Sequence, residues 1–161
     1  MRCAATGDAL ATEMGERGEC NVCQLVRDRC ADDVMLVGFS THRGRVTAAS
    51  DWHEPRQRKR VRKRLPGSCE DAFYDTGMTR FLLPLRTDAA LRWLVASQRL
   101  QRAIGVIHRP DTERQSHHFY TRLAQQYDAA AHIVDTSVVE PLVVGLVRID
   151  GEAPETFPSG I

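Results

Sequence analysis

Long hydrophobic runs are missing from this chain. The nearest approach to one, Val138–Val147, is ten residues long and contains Glu140 and Pro141, against the roughly 20 apolar residues of a membrane helix. The opening, MRCAATGDALATEM, has no basic segment leading into an apolar core, so it does not read as a signal peptide. A soluble, cytoplasmic protein with no membrane partner is expected. Charge of one sign is scarce too. The 22 Lys and Arg against 21 Asp and Glu leave a formal net charge of +1, so no global field favours nucleic acid or an anionic surface. Aromatics are 6% of the residues, which leaves few rings for base stacking.

Cysteines are few, odd in number and unevenly spread: Cys3, Cys20, Cys23, Cys30 and Cys69. A secreted disulfide framework would favour an even set in a shorter chain. Cys20 and Cys23 have the two-residue spacing of a zinc knuckle, with Cys30 nearby. A structural zinc site takes four ligands, usually as two spaced pairs, and no second pair is present. Reduced, partly buried thiols are therefore expected, with no metal and no cofactor.

What the chain does have is alternation of short apolar runs with amphipathic segments. Its 161 residues fit one domain. Asp8 or Thr12 is a start for a first helix. Asn21–Cys30 sets Val22, Leu25, Val26 and Arg29 at helical spacing. Val34–Phe39 reads as a buried strand, Thr41–Arg45 as a tight turn around Gly44, and Arg45–Ala49 as the returning strand of a hairpin. Ser68 and Asp71 resemble a capping box for a helix through Tyr74 that stops at Gly77. Arg80–Leu85 reads as a strand at an edge or strand end, because of Pro84. Asp88 can cap a helix over Ala89–Gln98. Ala103–Ile107 and Ala130–Val134 read as strands, and His118–Gln126 as a helix. Strands alternating with helices predict an α/β fold, a mainly parallel sheet flanked by helices. Residues 1–150 form the domain and 151–161 a frayed tail.

The densest chemistry lies in Arg109–His118. There Arg109, Asp111, Glu113, Arg114, Ser116, His117 and His118 follow an apolar run. Polar groups just after a strand are where α/β proteins place ligands. Arg109, Glu113, Arg114 and His117 are the expected substrate-binding residues. The competing reading is surface ion pairs, worth about 0–1 kcal/mol each, with Ser116 as a helix cap. His132 and Asp135 stand three apart on a strand and so face opposite sides. His132 is expected to be a hydrogen-bonded structural histidine. Arg56–Arg64 carries seven basic residues in nine. It reads as an edge strand or loop whose cations deter aggregation, and alternatively as a nucleic-acid-binding module.

Five ordered blocks resemble a known family: ATEMGERGECNVCQLVRDR, VGFSTHRGRVTAASDW, LPGSCEDAFYDTG, RAIGVIHRPDTERQSHHF and QQYDAAAHIVDT. Together they look like the C-terminal part of the erythromycin esterase family, and the resemblance extends to about Leu142. It implies metal-independent hydrolysis of a carboxylic ester such as the macrolactone of macrolide antibiotics. In that reaction a histidine acts as general base on water, supported by glutamates, another histidine and an arginine. The base and the glutamates belong to the family's N-terminal part, and the further histidine lies just upstream of the block near Ala11. No catalytic residue of the family therefore transfers onto a position here. The resemblance implies a truncated C-terminal portion, inactive alone, whose small-molecule ester would be bound only with an N-terminal half. A second alternative is a non-catalytic subunit of a split esterase, associating through an exposed sheet edge.

Overall fold

The computed structural model describes residues 7–86 and 97–138. The helix expected over 89–98 falls largely outside these residues, as does the tail over 151–161. No helix among the described residues is long and apolar enough to cross a membrane.

Local chemistry explains the first elements. Asp8 caps a 3-10 turn, Ala9–Ala11, by accepting from the Leu10 N–H, and Thr12 caps α1, Glu13–Glu16, by accepting from Met14. Asn21 caps α2, Val22–Cys30. The buried side of α2 is Cys23, whereas Val22 and Leu25 are exposed, so the apolar face read from spacing is displaced. Cys23 is disulfide-bonded, which removes it from any zinc set and corrects the expectation of reduced thiols. Cys20 and Cys30 are exposed thiols. Burial pushes the Cys69 thiol up to about 12.

The sheet is mixed, with strand order β2-β1-β6-β3, where β1 is Val37–Ala48, β2 is Gln57–Val61, β3 is Arg80–Pro84 and β6 is Ala129–Thr136. Only β1 and β6 are parallel, while β2 on β1 and β3 on β6 are antiparallel. The expected mainly parallel sheet is therefore corrected. The hairpin at Gly44 is corrected with it, since β1 runs straight through. β1 pairs with β6 over Val37–Gly44 and with β2 over Gly44–Ala48. Gly44 is needed where the strand changes partner. Its φ is 145°, and a Cβ there would stand 2.2 Å from the Thr136 carbonyl oxygen.

β2 carries the basic run at the sheet edge, as expected, and β3 ends at Pro84 on the opposite edge. The α3 helix, Cys69–Tyr74, has the expected cap. Ser68 accepts from the Asp71 N–H, and the Asp71 carboxylate accepts in return from Gly67. Phe73 of α3 packs edge-on to Phe81 and beside His132, over a core that includes Leu36, Leu85, Leu123 and Tyr127.

A two-stranded antiparallel ribbon joins β4, Arg99–Arg102, to β5, His118–Thr121. Neither matches the expected strand over Ala103–Ile107 or helix over His118–Gln126. Val106 is 68% exposed, and that stretch pairs with the end of β1 through a bridge between Ala49 and Ile107. The polar residues the ribbon buries tie it to neighbouring segments, although Gln101 Oε1, the Arg102 guanidinium nitrogens and His118 Nε2 have no hydrogen-bond partner. The Arg102 N–H, for example, donates to Glu70 at 3.1 Å. Phe119, Tyr120 and Thr121 also suit a strand. Helix α4, Glu113–Ser116, precedes the ribbon's second strand, and α5, Leu123–Gln126, follows it. Ser116 caps nothing downstream; its hydroxyl donates back to the Thr112 carbonyl.

Candidate functional site

The loop between the bridge at Ile107 and β5 is organised around one carboxylate. Glu113 is 2% exposed. One of its oxygens accepts from His108 Nε2 at 2.9 Å and from the Arg62 N–H at 3.4 Å. The other lies 3.1 Å from Arg102 Nε, an ion pair not aligned as a hydrogen bond, with both side chains 3% exposed. Burial pushes the Glu113 carboxyl up, but the His108 hydrogen bond and the Arg102 charge outweigh it and hold it below the usual carboxylate range. The other ring nitrogen of His108, Nδ1, is buried and has no hydrogen-bond partner.

β2 reaches into the same place. Lys59 Nζ donates to the carbonyl of His108 and the hydroxyl of Ser50, both at 2.7 Å. Arg62 reaches the Pro110 carbonyl at 3.2 Å. Arg64 pairs with Asp71 and Asp75 and lies over the Tyr74 ring. Three cations of the basic run thus serve the fold. Arg58, Arg60 and Lys63 are exposed.

The expected substrate-binding residues divide into two kinds. Arg109 and Arg114 are exposed. Arg109 Nε donates to the Ser50 carbonyl at 2.8 Å, and its guanidinium pairs with Asp51 at 3.0 Å. Glu113 and His117 work on their neighbours. His117 Nε2 accepts from the Arg109 N–H at 3.0 Å. Burial and the nearby His108 lower the His117 pKa.

Sequence reasoning missed Arg102, Glu70 and His108 and placed His42 in a ligand-facing loop or hairpin turn, whereas all four are buried and His42 lies within β1. Burial pushes the Glu70 carboxyl up, which favours its neutral form. His42 stacks on Tyr74 at 4.1 Å, and burial, with Arg64 and other cations, lowers its pKa. His132 is held as expected, with Nδ1 2.7 Å from the Ser40 hydroxyl. Burial, with a smaller effect from His42, pulls it down to about 4. Asp135 faces the other way and pairs with Arg43 at 2.9 Å. His118 Nδ1 lies 3.1 Å from the Glu113 carbonyl. The available signal was parity: His42 and His132 sit on positions whose strand neighbours Ser40 and Ala130 share one face.

Two solved structures share this fold. One is a Bacillus cereus protein, at 15% identity and a TM-score of 0.61, matching 73% of this chain and 28% of its own. The other is a succinoglycan biosynthesis protein, at 22% identity and a TM-score of 0.59, matching 71% of this chain and 27% of its own. The chain thus spans little more than a quarter of either. A family model, Erythromycin esterase, matches residues 5–136. With the match running from before the Asp8 cap to the end of β6, the chain belongs to the erythromycin esterase family.

Proposed function

We propose that this domain forms one wall of the substrate cleft of a carboxylic-ester hydrolase, and that the water-activating base comes from outside residues 7–138. The carrying observation is the state of the histidines on the sheet and around the Glu113 loop; the sixth histidine, His53, is exposed in the segment between β1 and β2, outside both. His42, His108, His118 and His132 are at most 6% exposed. A general base must reach its water within hydrogen-bond distance, and a sealed imidazole does not. His117 has already given Nε2 to the Arg109 backbone. Family membership supports the reaction class of this reading, ester hydrolysis by histidine-activated water.

In this reading the exposed guanidinium groups of Arg109 and Arg114 contact the substrate's oxygens. Glu113 and His117 are positioning residues. Glu113 fixes the loop through Arg102 and His108, and His117 fixes the Arg109 backbone. The purified chain is expected to show no turnover of p-nitrophenyl butyrate or of a macrolide lactone above the buffer rate. A turnover that His117→Ala abolishes, while leaving the unfolding midpoint in place, would overturn the proposal.

A further inference from the structure

The two faces of the sheet are finished differently. On one, Gly38 and Ala130, then Ser40, His132 and Phe81, form rows across the strands. These rows lie beneath Phe73 and the Tyr127 ring. On the other face, Phe39, Ala131 and Leu82 form one row, and Thr41, Ile133 and Arg80 the next. There Phe39 is 73% exposed, Leu82 62% and Ile133 39%. Parallel strand pairs are normally covered on both faces, and an apolar patch across three strands marks a contact surface.

This open face contains a cavity of about 160 Å³, lined by Phe39, Ser40, Thr41, Arg102, Ile104, Ile133 and Thr136. Its hydroxyls are already bonded, and its one guanidinium is sealed. The Thr41 and Thr136 hydroxyls donate to the Arg43 carbonyl at 2.8 and 3.4 Å. Ser40 bonds to His132, and the Arg102 guanidinium nitrogens are sealed from solvent. A polar ligand would find no free donor at the surface, whereas an apolar side chain loses nothing on entering. The relatives of the same fold are more than three times longer than the region they share with this chain.

We propose that this face is an interface for the part of the family fold that this chain does not span, and that an apolar side chain of that part fills the cavity. The proposal rests on family membership and not on the hydrolytic reading. Its test uses no activity, so either can fail alone.

Residues 7–138 are placed in a full-length family member in exchange for its matched region. Phe39→Asp and Leu82→Asp are then introduced separately into this chimera and into the chain itself. Each is expected to lower the chimera's Tm by about 5–10 °C and to leave the Tm of the chain within about 1 °C. An equal loss in the chain would mean that its own residues cover the face. No loss in the chimera would mean that nothing does. A dimer of the chain that Phe39→Asp dissociates would make a second copy the occupant. Each of these three results overturns the proposal. Should the chimera not fold, the chain is co-expressed with the remainder of that family member as a separate polypeptide. Co-purification lost on Phe39→Asp supports the interface, and failure of the unaltered chain to co-purify overturns it.

Discussion

Asp128 and Glu113 are buried to the same degree, with side chains 3% exposed, and both gather arginines. Their settings differ in two ways. Asp128 draws together distant segments: Arg27 of α2, Arg86 after β3, and the Leu36 N–H at 2.6 Å. Glu113 binds His108, five residues away, together with Arg102 and the end of β2. The second difference is where their cations can go. Arg86 and Arg27 are 42% and 21% exposed, whereas Arg102 is 3% exposed. Buried carboxylates of equal exposure therefore need not be worth the same. What decides is whether the partner left behind can find water.

The largest effect should come from Glu113→Ala, which strands a sealed guanidinium. A loss of about 3–5 kcal/mol is expected in a denaturant titration. Replacing both partners, Arg102→Met with Glu113→Met, should recover most of that loss, because the desolvated charges leave together. If the double variant is as unstable as the single, the loss is one of packing and the comparison breaks. Asp128→Ala comes next, at about 1–3 kcal/mol, since Arg86 can turn outward and Arg27 keeps its pair with Asp8 at 3.3 Å, while the Leu36 N–H is left sealed.

Acid separates further contributions. His132 is pulled from 6.5 in the unfolded chain to about 4 in the folded one. The unfolded state therefore binds the extra proton between those values. Its contribution is complete above pH 6.5 and lost as pH falls toward 4. Glu113, held below its ordinary value of 4.5, loses its contribution only below that value. Midpoints measured between pH 7 and 4.5 should fall, and His132→Gln should flatten that fall while Glu113→Gln should not. The smallest effects belong to β2. Lys59→Ala should cost about 1 kcal/mol through its bonds to His108 and Ser50. Arg58→Ser and Arg60→Ser, exposed on the same strand, should stay within about 0.5 kcal/mol.

Much of the fold was legible where local chemistry decides. The caps at Asp8, Thr12 and Ser68, the stop near Gly77, the edge strand with Pro84 and the strand over Ala130–Val134, which runs on to Thr136, all follow from short-range rules. Three features did not. Gly44 reads as a turn because His42, Arg43 and Gly44 are polar or small together. The glycine is there for a close approach to Thr136, 92 residues away. Apolarity assigned Ala103–Ile107 to a strand, whereas the ribbon took the polar residues before it, where Glu70 accepts from the Arg102 backbone N–H and Glu113 pairs with the Arg102 guanidinium. The parallel expectation assumed that alternating elements imply crossovers, but β2 and β3 each return to a neighbour antiparallel. At the site, Glu113 was legible as a chemically dense position. Its burial was not, because its cation Arg102 lies eleven residues earlier and β2 closes over it from the other side.

One of the two inner strands of the sheet, β6, is the last of the described strands to be made. β6 holds β1 on one side and β3 on the other, and its partners in β1 precede it by 92 residues, as between Ser40 and His132. At about 5–20 residues per second of synthesis, β1 waits roughly 5–20 s for the strand it pairs with. Throughout that interval the first half of β1 lacks its partner strand, while its second half, Gly44–Ala48, can already pair with β2.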